Sequence, residues 1–221
     1  MTTTEVLKPP AAPAGSMRPI SAGIRLTWLH LRTRRVPAGL LALAVCGALL
    51  RAALHWHWTF NSGPYGQQVP MIIEAGAAAV IAVTVHTPFG ETEGSAGRYL
   101  PYLRLLAAIG LTGLAILALQ LGAVGENLNE GVTVLARTVV GFTGLGLLCS
   151  LITGGLLAWT LPMGYMTFCQ YALLEAWTAP WTWPVRPAAD HGAWICSCAV
   201  FAAGLSLFTT LGPRSRLSDN S

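Results

Sequence analysis

The chain has 221 residues, of which 53% are hydrophobic and 10% are charged, and its formal net charge is +4. A soluble domain carries about 25% charged residues, so this composition excludes an ordinary soluble enzyme, a disordered regulator and a disulfide-rich secreted domain. The apolar runs are long and unbroken, unlike the alternating strands of a membrane barrel, and they predict an all-α polytopic membrane protein.

The first 35 residues divide into two segments. Residues 1–20 are rich in Pro, Ala and Thr and lack apolar periodicity, which predicts a disordered cytoplasmic tail. Residues 21–35 read SAGIRLTWLHLRTRR and place Ile24, Trp28 and Leu31 at helical spacing among several arginines. This pattern predicts a short amphipathic helix that lies along the inner membrane surface. A basic flank that only follows the positive-inside rule is the alternative.

Six apolar runs follow the amphipathic segment. Each approaches the roughly 20 residues that cross about 30 Å of hydrocarbon. The runs are Pro37–Trp56, Gln68–His86, Leu100–Gly122, Val132–Thr160, Met163–Trp181 and Gly192–Leu211. Residues 36–212 are therefore predicted to form a six-helix transmembrane domain, and residues 213–221 a second cytoplasmic tail.

The basic residues set the predicted orientation. Lys and Arg cluster before the first run, between the second and third runs and after the sixth, whereas Arg186 lies in a loop on the opposite side. Because cytoplasmic loops are enriched in Lys and Arg, both termini are predicted to be cytoplasmic. Lys8 is the single lysine among 13 basic residues, which is typical of a GC-rich bacterial genome and indicates a bacterial cytoplasmic membrane.

The connection between the second and third runs is the most distinctive polar segment. It reads HTPFGETEGSAGRYLPYLRL from His86. A helical turn here would present Glu91, Glu93 and Arg98 to the cytosol, with Arg104 just beyond them. Such a loop can dock a soluble partner through charge pairing, and a solvated connector that only joins two spans fits the pattern equally well.

Four charged residues lie inside the predicted spans, all in the outer half of the bilayer: Arg51, Glu74, Arg137 and Glu175. A charge at the membrane centre costs about 2.5–3.5 kcal/mol on insertion scales. The four residues form either a polar cluster that lines a cavity or a set of structural pairs with snorkelling arginines, and the shallow depth favours the structural interpretation. Arg51 and Glu74 lie at similar depth on consecutive spans, so we predict that they interact.

The sequence contains no motif that indicates catalysis, a cofactor or a metal centre. Lys8 is preceded by no glycines, so the GxxxxGK[ST] motif of nucleotide hydrolysis is absent. Cys196 and Cys198 would point about 200° apart on a helix and would not face one metal ion together. His86 with two nearby glutamates is a weak catalytic candidate. No nucleic-acid partner is expected, because the basic residues follow the membrane topology.

Three segments together resemble a known family. SAGIRLTWLHLRTRR resembles the amphipathic connecting helix, PFGETEGSAGRYLPYLRL the first cytoplasmic loop, and AWTAPWTWPVRPAADHG the outer hairpin of type-2 ATP-binding-cassette (ABC) exporter permeases. In that family the connecting helix precedes six spans with both termini inside, the loop holds a coupling helix that docks the ATPase, and a re-entrant hairpin precedes the last span.

The resemblance implies a function and a set of partners. The chain would be the membrane subunit of an ABC exporter, paired with a second permease subunit in a homodimer or heterodimer and driven by a separate cytosolic ATPase. Glu91, Glu93, Arg98 and Arg104 would lie in the loop that couples to that ATPase. A non-transport membrane scaffold or accessory subunit is the alternative, and a membrane-embedded enzyme acting on lipid is a third, less favoured one.

Overall fold

The computed structural model describes residues 36–56, 68–86, 100–125, 131–175, 177 and 179–211. In these ranges the chain forms helices and turns without a β-strand, which confirms the all-α class. The helices are α1 (Val36–His55), α2 (Gln68–Val85), α3 (Leu100–Ala123), α4 (Gly131–Thr153), α5 (Thr160–Leu174) and α6 (His191–Leu211). Short 3₁₀ helices at Gly155–Leu157 and Trp183–Val185 precede α5 and α6. The two predicted tails and the predicted amphipathic helix lie outside the described residues.

Five of the described helices, α1 to α4 and α6, are long and apolar enough to cross a membrane. The remaining helix, α5, has 15 residues and is therefore about 22 Å long at 1.5 Å per residue, which is short of the roughly 30 Å of a hydrocarbon core. The predicted fifth span, Met163–Trp181, is helical only as far as Leu174. The count of six spans is therefore not confirmed.

Two boundaries differ from the predicted ones for local reasons. The predicted fourth span ran on to Thr160, but α4 ends at Thr153 because Gly154 turns the chain with a φ of +84°, which glycine adopts without a steric cost. At the end of α5 the backbone N–H of Trp177 donates to the carbonyl of Ala172 at 3.0 Å, which closes the last turn. Pro180 follows within the same segment.

Contacts of α1, α2 and α4 establish their directions. Gly39 at the start of α1 packs against Thr84 at the end of α2, so these two helices are antiparallel. Gly146 of α4 packs against Ala82 of α2, and Gly155 beyond α4 packs against the residue that follows α2, so α2 and α4 run in the same direction. We call the end of the bundle where α1 begins the near end and the opposite end the far end.

The last helix runs parallel to α4. The hydroxyl of Ser197 donates to the backbone carbonyl of Arg137 at 2.7 Å, and further along both helices Gly204 packs on the backbone of Gly144. Because α4 and α6 both begin at the far end, residues 154–190 must return the chain from the near end to the far end. That return consists of α5 and the irregular segment after it.

The core is built around α4. The larger of two buried clusters joins it to α1, α2, α3 and α6 through residues such as Leu50, Ile81, Leu119, Leu147 and Phe208. The smaller cluster joins α4 to α2 and α5. The apolar stretch of α4 is 67% buried, whereas that of α6 is 22% buried. A central, buried α4 is therefore the element on which the segment before α6 is positioned.

Candidate functional site

The described residues between α5 and α6, which are 175, 177 and 179–190, fold back into the bundle at the far end, and we call them the hairpin. Its Trp183 is 2% exposed and its ring is stacked on Tyr165 of α5 with a centroid separation of 4.7 Å. The indole also lies against Gly141 of α4, which is nearly three turns from the start of that helix. The tip of the hairpin therefore lies well inside the bundle, between α4, α5 and α6.

Arg137 joins the hairpin to α4. Its side chain is fully buried, and its two terminal guanidinium nitrogens donate to the carbonyls of Pro187 at 3.0 Å and of Arg186 at 2.5 Å. The backbone carbonyl of the same residue accepts the hydroxyl of Ser197. One residue of α4 therefore fixes the hairpin and the first part of α6 together.

In the last part of the hairpin, just before α6, Arg186 forms an ion pair with Asp190. The Nε atom of the arginine and the Oδ2 atom of the aspartate are 2.6 Å apart. The other carboxylate oxygen of Asp190 accepts the backbone N–H of Ala193 at 3.2 Å, as an N-cap residue does. The Arg186 hydrogen bond, followed by that from Ala193, lowers the pKa of Asp190 below its ordinary value. The carboxylate is thus held ionised at the start of α6.

Aromatic side chains attach the hairpin to α5. The hydroxyl of Tyr165 donates to the carbonyl of Trp181, and the rings of Phe168 and Trp177 meet edge to face with centroids 5.6 Å apart. Phe142 of α4 meets Tyr165 in the same way at 6.2 Å. Edge-to-face and stacked arrangements are the favoured geometries of aromatic pairs, so these rings hold the hairpin at a defined depth.

The four predicted intramembrane charges fall into two groups in the structure, two buried and two exposed. Arg137 and Glu74 are buried, at 0% and 7% exposure, and they lie on α4 and α2, which pack side by side in the same direction. Arg51 and Glu175 are exposed on the outer surface of the bundle. In the described part of the chain no ion pair joins Arg51 to Glu74, so that predicted interaction is not observed.

The predicted coupling residues are mostly beyond the described ranges. Glu91, Glu93 and Arg98 lie outside them, and Arg104 lies in α3 with a partly buried side chain. The helix before this loop ends at Val85, at the near end, and the helix after it begins at Leu100. The role of the loop in docking an ATPase stays a prediction.

The described residues hold no group of three or more His, Cys, Asp or Glu side chains that could bind a metal ion. His86, considered above as a catalytic candidate, follows α2 with its Nε2 atom buried and without a hydrogen-bond partner among the described residues. Burial lowers the pKa of His86. The ring of His86 packs against Gly155 at the near end, and its part in a catalytic group with the two glutamates stays a prediction.

Sequence reasoning missed the attachment of the hairpin to Arg137 and Ser197. A signal was present, because WTAPWTWPVRPAAD contains three prolines, and a proline-rich segment leaves carbonyl groups without partners from a regular helix. In an apolar setting those carbonyls need donors. A buried arginine supplies several donors at once.

Comparison of the chain with protein families, curated proteins and solved structures finds no match. Its function must therefore be argued from the arrangement of its own residues.

Proposed function

We propose that the chain is the membrane-spanning permease subunit of an ABC exporter, embedded in a bacterial cytoplasmic membrane with its near end in the cytoplasm. The observation that carries the proposal is the hairpin, which inserts between α4, α5 and α6 immediately before the last helix. The permease family that the sequence resembles has a re-entrant hairpin at this position. A separate cytosolic ATPase would supply the energy, and two permease subunits would form the path.

The proposal includes six crossings of the membrane. The parallel directions of α4 and α6 support this count, because the chain between them returns from one end of the bundle to the other. The helix α5 covers about 22 Å of that return, and the irregular residues after Leu174 would complete it. Backbone without helical structure is tolerated at membrane depth where it is buried in protein, and Trp183 of the hairpin is buried in this way.

Coupling to the ATPase would occur at the near end. The loop between α2 and α3 carries Glu91, Glu93 and Arg98, and it follows the near end of α2. Closure of the ATPase would push this loop, and the push would be transmitted to α2 and α3. Since α2 packs along α4, the movement would reach the helix that holds the hairpin through Arg137.

Co-purification with an ABC ATPase encoded by a neighbouring gene tests the proposal. We expect the ATPase to bind the wild-type chain and to hydrolyse ATP faster in its presence. The double change Glu91→Lys and Glu93→Lys should weaken that association, and more so at high salt because exposed charges are screened. The matched control reverses Glu126 and Glu130, two acids predicted to lie in the loop at the opposite end.

The outcomes separate the candidate functions. Equal loss of binding in the control would mean that the charge reversals act through insertion or folding. Unchanged binding and unchanged ATP hydrolysis in the Glu91 and Glu93 variant would remove the docking role and leave a plain connector. Failure of any ABC ATPase to associate with the wild-type chain would favour the scaffold or accessory subunit.

A further inference from the structure

The outer faces of α1 and α5 carry opposite charges. On α1, Arg51 is exposed in one stripe with Ala44, Ala48 and His55, which follow each other at helical spacing. Small residues on such a stripe allow another helix to approach closely. The stripe on α1 therefore combines a site for close packing with a positive charge.

The outer stripe of α5 carries larger side chains and the opposite charge. Gly164, Phe168, Tyr171 and Glu175 are all exposed and share one face at spacings of three and four residues. Phe168 and Tyr171 also contact Trp177 of the hairpin, so the aromatic ridge is held in place. The stripe ends in a negative charge.

Both charges lie toward the same end of the bundle. Arg51 is about one turn before the end of α1, and Glu175 caps the end of α5. Both helices run from the near end to the far end. Neither side chain forms an ion pair with another residue in the described ranges, and charges at membrane depth almost always pair or face a polar cavity.

We propose that these two stripes form the interface between two copies of this chain, with Arg51 of one copy paired with Glu175 of the other. The inference specifies the contact in the pair of permease subunits and so rests on the proposed function. A twofold axis along the membrane normal keeps the far ends of both copies together and creates the ion pair twice. Tyr171 and Phe168 lie on the same stripe and offer ring faces to the guanidinium.

A charge-swap experiment in liposomes tests the interface without the ATPase. Energy transfer between labelled copies at a series of protein-to-lipid ratios measures the dimer fraction. In a dimer of Arg51→Glu, two acids face each other at both ion-pair positions, and in a dimer of Glu175→Arg two arginines do. Each single variant should therefore weaken dimer association about tenfold or more. The control Leu121→Glu adds an acid to an exposed position near the far end of α3 and should leave association unchanged.

Mixing the two single variants gives the decisive measurement. In a mixed dimer, one copy carries acids at both positions 51 and 175 and the other carries arginines at both, so each contact again joins opposite charges. Its association should return to near the wild-type value, and such recovery on mixing supports a contact between copies. Three results would overturn the proposal. The first is weaker association of the single variants without recovery on mixing, and the second is a dimer that neither change affects. The third is a wild-type chain that stays monomeric because Arg51 only snorkels to the lipid headgroups.

The dimer measurement and the ATPase measurement fail independently. Dimers that respond to the charge swap in a chain that binds no ABC ATPase would leave the interface standing and remove the proposed function. Binding of an ABC ATPase to a chain whose dimer is unaffected by both charge swaps would leave the proposed function standing and remove the interface.

Discussion

At the scale of single residues, the buried arginine of α4 is the most consequential side chain of the described structure. Burying a guanidinium destabilises the fold unless its N–H groups form hydrogen bonds. Two terminal nitrogens of Arg137 donate to carbonyl groups of the hairpin. The same hydrogen bonds satisfy carbonyls of a proline-rich segment that no helix could satisfy. The charge and the irregular segment therefore stabilise each other.

Replacing this arginine should release the hairpin. Arg137→Met keeps most of the side-chain volume but leaves the carbonyls of Arg186 and Pro187 without donors. A hydrogen bond to a charged group contributes about 1.5–3 kcal/mol, so we expect a clear loss of thermal stability in detergent and faster hydrogen exchange at Trp183, Val185 and Arg186. Arg51→Met, measured at a concentration where the chain is monomeric, is the control. An equal effect of the two changes would contradict the anchoring role.

Glu74 is the natural candidate to balance the charge of Arg137, since both are buried on adjacent parallel helices. We expect Glu74→Gln and Arg137→Met to lose less stability together than the sum of their separate losses, because each single change leaves an uncompensated charge. Double-mutant thermal unfolding measures the coupling. Simple additivity would show that the two groups are satisfied independently.

His86 should make the near end sensitive to pH. Burial lowers its pKa in the folded chain below the ordinary 6.5, so the unfolded chain binds the proton more readily. Stability should therefore be complete above that value and should decline as the pH falls through it toward the lower folded pKa. Melting temperatures between pH 8 and pH 5 should fall less steeply for His86→Phe than for the wild type. Parallel curves would exclude a contribution from this ring.

At the scale of helices, close approach of backbones holds α4 and α6 together. A side chain at Gly204 would meet the carbonyl oxygen of Gly144 at 2.5 Å, which no rotamer change can relieve. Without a hydrophobic driving force between helices in lipid, such close packing is a main source of association. The glycines of α4 thus serve contacts inside one chain.

Two glycine substitutions compare a packed site with an open one. Gly204→Ala should lower stability by about 1–3 kcal/mol because the added methyl group forces α6 away from α4. Gly110→Ala in α3 meets nothing within 4 Å and should be neutral or slightly stabilising, since alanine favours the helix. Melting temperatures in the same detergent give the comparison. Equal behaviour of the two variants would refute the close contact.

The boundaries of α1, α2, α3 and α6 could be predicted from hydropathy because polar or charged segments flank them. The end of α5 could not, since AWTAPWTW continues the apolar run of that helix and only contacts with Tyr165 and Arg137 turn it back into the bundle. Hydropathy also failed to assign faces to the charges. In a helix that is apolar all round, the sequence does not reveal that Glu74 points inward and Arg51 outward.

At the scale of the whole molecule, the directions of the helices fix which loops share an end. The antiparallel pair α1 and α2 and the parallel set α2, α4 and α6 place the end of α1 and the starts of α2, α4 and α6 at the far end, and the start of α1 and the ends of α2, α4 and α6 at the near end. Any membrane orientation must therefore keep these two sets of helix ends on opposite sides. The positive-inside rule predicts that the near end is cytoplasmic.

Cysteine labelling in intact cells tests that arrangement directly. In a background in which the exposed Cys198 is replaced by Ser, single cysteines at Gly63 and Ala188 should react with a membrane-impermeant maleimide. A cysteine at Ser95 should react only after the membrane is permeabilised, because the loop that contains it is predicted to be cytoplasmic. Labelling of position 95 from outside together with protection of positions 63 and 188 would invert the orientation and place the proposed coupling loop where no cytosolic ATPase can reach it. Labelling of position 63 but not of position 188 would contradict the return of the chain to the far end through α5 and the hairpin, and with it the sixth crossing.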